Sequence, residues 1–137
     1  MRRSGNPNPL NRHHSLDFSI SKGLAAAHET YRRARRGELF YALSLLDELR
    51  QNIMRADDWL HDRTPETAVV AKFDRRGSPA VLAALKASYS PCEAPAILAA
   101  LRLLSETYRA QIIELHGRFD LSRSLASDLE AVDIIRS

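Results

Sequence analysis

The chain has 137 residues, 45% of them hydrophobic, with 20 Lys+Arg against 17 Asp+Glu and a net charge of +3. That size suits one domain and that apolar share suffices for a core, which excludes a globally disordered chain. A single cysteine, Cys92, excludes an internal disulfide framework, and no apolar run nears the roughly 18 residues of a membrane span. A reducing, cytoplasmic compartment is the expectation, with no membrane contact. The weak positive balance gives little pull toward nucleic acid, so nucleic acid is not an expected partner.

Met1 to His14 is rich in Pro, Asn and Arg and carries no apolar period. Residues 1–15 are therefore expected to form a disordered tail or linker remnant, and 16–137 the folded domain. The adjacent His13 and His14 lack the cysteine or carboxylate spacing of a metal site, and no metal is expected. Leu16 to Ile20 alternates apolar and polar and reads as a short extended segment. Ser19 or Ser21 would cap the helix after it. That helix spans Gly23 to Arg36, with Leu24, Ala27 and Tyr31 on one side. Arg32, Arg33, Arg35 and Arg36 crowd its last turn, where cations complement the dipole. Gly37 then breaks or bends the chain.

Glu38 opens the longest pattern. Leu39, Ala42, Leu43, Leu46, Leu49, Ile53 and Leu60 recur at three- and four-residue steps, which predicts an amphipathic central helix of roughly six turns. Thr64-Pro65, Ser78-Pro79 and Ser90-Pro91 each read as an N-cap followed by proline at the first helical position. Glu93 would close a capping box in the third. Ile97, Leu101, Leu104, Tyr108, Ile112 and Leu115 mark a further helix with Gly117 as its stop. Asp120 would cap a last helix bearing Leu121, Leu125, Leu129, Val132 and Ile135. The predicted fold is all-α, an up-down bundle of four to five helices.

No phosphate-binding glycine loop, zinc motif or nucleophile elbow occurs. Asp57, Asp58, Trp59 and His61 lie close to the end of the central helix. Two acids there oppose the helix dipole. They could bind a cationic ligand beside the stacking face of Trp59, or cover the helix surface around a core tryptophan. Two arginine–histidine pairs, Arg55 with His61 and Arg109 with His116, resemble the ribonuclease motif of HEPN-type helical domains. Ala56 and Ala110 follow the arginines where that motif commonly has a polar residue.

Arg35-Arg36-Gly37-Glu38-Leu39, followed by Ala42-Leu43, Leu46-Asp47 and Leu49-Arg50, resembles the C-terminal helical domain of small-molecule nucleotidyltransferases. That group includes the aminoglycoside and lincosamide adenylyltransferases, and the likeness runs from about His28 to the C-terminus. The resemblance implies a catalytic domain ahead of the helices, with a Gly-Ser turn and an Asp-x-Asp pair holding Mg and ATP. Neither motif is here: Gly77-Ser78 leads into Pro-Ala-Val-Leu without paired aspartates. Without carboxylates to hold the metals the transfer has no catalyst.

The expectation is a substrate-binding or accessory domain, not catalytic alone and without a cofactor of its own. It would be a truncated relative or the companion of a separately encoded catalytic domain, binding a small polar ligand or a homodimer mate. By analogy Glu38, Asp57, Asp58 and Trp59 are its candidate substrate-binding residues. The alternatives are an HEPN-like ribonuclease toxin of a two-component pair and a helical interaction or dimerisation module.

Overall fold

The computed structural model describes the backbone of residues 9–136 and the side chains of 14–135. Its helices among those residues are α1 (Pro9–Arg35), α2 (Leu39–Leu60), α3 (Phe73–Arg76), α4 (Pro79–Ala87), α5 (Ala94–Arg118) and α6 (Leu125–Arg136). The fold is all-α, with no strand among the described residues. None of the described helices is long and apolar enough to cross a membrane.

The first helix begins well before the expected boundary. Residues 1–8 of the expected tail lie outside the described part, but 9–15 form the opening turns of α1. Leu16 and Ile20 are not in an extended segment; they continue the buried stripe of Leu24, Ala27 and Ala34 at three- and four-residue steps. The alternation that mimicked a strand came from Phe18, which is 61% exposed. Ser19 and Ser21 lie mid-helix and cap nothing. Ser19 donates to Asn52 Oδ1 of α2 at 2.9 Å, and Ser21 accepts from Arg123.

Gly37 takes φ +80°, the left-handed conformation in which a residue without Cβ ends a helix cheaply. The Glu38 N–H closes this turn on Arg33 O at 2.9 Å. The turn folds α2 back along α1, and their interface is the most extensive in the molecule. Along α2 the residues Ala42, Leu46, Leu49, Ile53 and Ala56 form the buried face, as the period predicts.

Cross-helix hydrogen bonds give the remaining directions. Ser78 bonds Asp57 while Ser88 bonds Arg50, so α4 runs antiparallel to α2. Gln111 donates to Ile53 O, and Arg118 donates to Leu60 O with the same sequence offset of 58. Hence α5 runs parallel to α2. Arg109 meets Asp133 while His116 meets Asp128, so α6 returns antiparallel to α5. Leaving aside the single turn of α3, the five helices alternate in direction, and the short α4 is the strut that makes α2 and α5 parallel. The core lies between α1, α2, α5 and α6. Tyr108 of α5 packs so close to α1 that a Cβ on Gly23 would collide with its hydroxyl. That close approach, not a helix start, is what Gly23 serves. Burial raises the Tyr108 phenol above its ordinary pKa.

Three expected helix signals read differently in the fold. Thr64-Pro65 opens no helix; the chain is irregular up to the single turn of α3. Ser90-Pro91 precedes α5 without starting it. Glu93 itself occupies the N-cap with no side-chain cap bond, and proline near the first position is Pro95. Gly117 lies inside α5, which is capped at Phe119. The last helix starts later than Asp120 implied, where Ser124 Oγ accepts from the Ser127 N–H at 3.2 Å. Only Ser78-Pro79 opens its helix as read, as the N-cap and first residue of α4.

Candidate functional site

The last turn of α2 carries Asp57, Asp58 and Trp59, all three buried. Two acids at a helix C-terminus need partners, and each has them. Asp57 accepts from the Ser78 N–H at 3.0 Å and from Ser78 Oγ at 2.9 Å. Its carboxylate thereby stands at the N-terminus of α4, where the dipole favours it. Asp58 accepts from Arg63 Nε at 2.8 Å, and from Arg76 Nε and NH2 at 2.8 and 2.9 Å. Burial alone would raise the Asp58 pKa, but hydrogen bonds from Arg76 and Arg63 outweigh it and hold the group below the ordinary carboxylate value. Arg76 also donates to Val69 O and Ala71 O at 2.7 and 2.8 Å. The two acids therefore staple the 61–78 connection, with α3 inside it, to the bundle.

Trp59 points elsewhere. Its ring meets Phe119 edge-on, with centroids 6.0 Å apart, and is 5% exposed. It lines a cleft of about 460 Å³ between α1, α2 and residues 64–67, together with Phe18, Lys22, Asn52, Arg55 and Glu66. This size lies within the usual range of small-molecule pockets. Asn52 is fixed there, accepting from Ser19 and donating to Glu48 O at 2.9 Å.

Glu38 belongs to neither feature. It pairs with Arg33 at 2.8 Å and Arg36 at 3.2 Å across the α1–α2 turn. At about 1.5 Å per residue, it stands about 28 Å along α2 from Asp57. The candidate substrate-binding residues are thus brought together only as the adjacent Asp57, Asp58 and Trp59, and these face two different ways. The arginine cluster is spent locally: Arg32 binds Glu29 at 2.7 Å, and Arg35 binds the Tyr31 hydroxyl at 2.7 Å.

Neither arginine–histidine pair converges. Six residues on a helix turn through about 240° beyond a full circle. Accordingly Arg55 lines the Trp59 cleft, while His61 lies on the opposite side in a depression with Ser78 and Glu114. His61 Nδ1 sits 2.8 Å from Asp57 O. Arg109 and His116 are about two turns apart, and α6 engages each separately. Arg109 Nε donates to Asp133 Oδ1 at 2.9 Å, and His116 Nε2 lies 2.9 Å from Asp128 Oδ2. Arg123 donates to the same Asp128 at 2.7 Å, which raises the arginine pKa. Among the described residues no group of three or more His, Cys, Asp or Glu is arranged to hold a metal ion.

Phe18, Lys22 and Asn52 are the cleft residues the sequence reading missed. Their signal was present as helical spacing: Ser15, Phe18, Ser19 and Lys22 share one face of α1, and Asn52, Arg55 and Trp59 one face of α2. Starting α1 at Gly23 hid the first set. Comparison of the chain with protein-family models and with curated proteins returns no match.

Proposed function

We propose that this chain is a ligand-binding helical domain of the kind that accompanies small-molecule nucleotidyltransferase domains, without transfer chemistry of its own. The observation that carries the reading is the placement of Trp59. The only tryptophan of the chain is buried on the last turn of the central helix, yet it forms a wall of an open cleft. The Arg-Gly-Glu step supports the family likeness by making the α1–α2 turn through Gly37 and the Arg33–Glu38 pair. The adjacent acids Asp57 and Asp58 are engaged by Ser78, Arg63 and Arg76, which argues against their serving as a two-metal pair. Mg and ATP would belong to a companion catalytic domain.

The test is a titration of the purified chain with sets of small amines, sugars and organic anions, followed by the Trp59 indole N–H resonance. Saturable shifts centred on that resonance are expected, together with no AMP transfer from ATP by the chain alone. Unaided transfer, or an indole signal indifferent to every set, would overturn the reading.

A second reading, a homodimerisation module, draws on Phe40, which is 85% exposed on the first turn of α2. Sedimentation should then show a dimer that Phe40→Ser dissociates; a monomer at all concentrations removes this reading.

A further inference from the structure

We propose that the Trp59 cleft takes a small aromatic anion, a ring bearing a phosphate or carboxylate, rather than the cationic ligand that the neighbouring aspartates invite. The proposal rests on the cleft being the ligand site and assigns its chemistry. The acids beside Trp59 do not line the cleft and are engaged elsewhere: Asp58 pairs with Arg63 and Arg76, and Asp57 accepts from the Ser78 N–H and hydroxyl with the Arg63 guanidinium 3.6 Å away. On the cleft side the charge is reversed. Arg55 of α2 and Lys22 of α1 both line it, and neither forms an ion pair among the described residues. Residues 1–13, which precede the described side chains, contain no Asp or Glu that could neutralise them. Glu66 at the rim is exposed and interacts with Arg76 on its far side. Counting it in full still leaves one positive charge in excess.

Two cations held within one concave, partly apolar wall focus field and favour an anion. An arginine presents a planar fork that matches a phosphate or carboxylate. The apolar half of the site is equally defined. Trp59 and Phe18 supply aromatic surface on opposite helices, and Lys22 lies over the Phe18 ring at 5.6 Å. A Phe at 61% exposure is costly to leave in water and gains by covering a ligand ring. The head group would sit on Arg55 and Lys22, and the ring between Phe18 and Trp59.

Because Trp59 is the sole tryptophan, the chain's tryptophan fluorescence comes entirely from a wall of this cleft. The experiment titrates the full chain with phenyl phosphate, benzoate, benzylamine and benzyl alcohol at low salt. Saturable quenching by phenyl phosphate, benzoate or both is expected, weakened by added salt; which of the two binds tighter identifies the head group. Arg55→Gln and Lys22→Gln should each weaken that binding about tenfold, the size of losing one charge-assisted hydrogen bond. Arg102→Gln, an exposed charge on α5, should leave it unchanged and so excludes a general effect of net charge. Far-UV circular dichroism confirms that each variant is folded. Benzylamine binding as tightly as the anions, or both Gln variants binding phenyl phosphate as the native chain does, overturns the anion assignment while leaving a ligand-binding domain. If none of the four probes perturbs Trp59 by fluorescence or at its indole N–H, the anion assignment falls; the ligand-binding reading falls only if the wider sets of amines, sugars and organic anions are silent as well.

Discussion

One turn of α2 shows two ways of handling charge. On the side facing α3 and α4, Asp57 and Asp58 are buried and every contact is made within the chain. On the side facing α1, Arg55 and Lys22 line a cleft, and neither has an ion-pair partner among the described residues. The acids looked functional in the sequence because they oppose the helix dipole. Their partners, supplied by the 61–78 connection, make that conflict a structural fastening. Of the cations, Arg55 drew notice only as the partner of His61, from which the fold turns it away, and Lys22 drew none. Local unfavourability thus located a staple, and the concave surface around Trp59 located the cleft.

The sharpest way to break this contrast is Asp58→Ala. It should destabilise the domain by about 3 kcal/mol in urea unfolding, the low end for breaking a buried pair, because Arg63 and Arg76 are partly exposed and can rehydrate. A loss below about 1 kcal/mol would mean that the acid is not a staple. Asp58→Asn keeps the shape and isolates the charge. The folded-state pKa of Asp58 is depressed, so its contribution is present above the ordinary value of about 3.9 and is lost as pH falls through the lower folded value. The native chain should therefore lose stability below about pH 4 more steeply than the Asn variant; parallel acid curves would count against the pairing. Ser78→Ala removes one of the two donors to Asp57 and should cost about 1–2 kcal/mol, read as a lower thermal midpoint. Smallest of all is Arg55→Gln. With no ion pair to lose, it should change stability by no more than about 0.5 kcal/mol while ligand response at Trp59 falls. A large destabilisation would place Arg55 among the structural charges.

Helical content, the central helix and most of the core stripe were legible in the sequence. Leu46, Leu49 and Ile53, or Leu101, Leu104 and Ile112, repeat at the helical period, and burial follows that period wherever a helix packs on one side. The Gly37 turn was equally legible, since a left-handed residue after a run of arginines marks a helix end. Boundaries were less so. Phe18 imposed a two-residue alternation on what is one continuous helix, and Gly23 lies within α1 rather than at a helix start, while Gly117 falls one residue short of the end of α5. Gly23 is required by Tyr108, a neighbour 85 residues away whose approach no local pattern records.

The candidate site follows the same division. By itself the sequence determined that Asp57, Asp58 and Trp59 share a helix end, because adjacency and period are properties of the chain. Only the tertiary structure decided that they serve different purposes. Successive helical positions point about 100° apart, so neighbours in sequence face different partners. Which charges are paired depends on Arg63, Arg76 and Ser78 arriving from the connection between α2 and α4. Lys22 reaches Arg55 and Trp59 only because α1 and α2 fold back on one another at Gly37. Charge pairing acts through space, and it was the folding of the chain that left two cations, rather than two acids, facing the tryptophan.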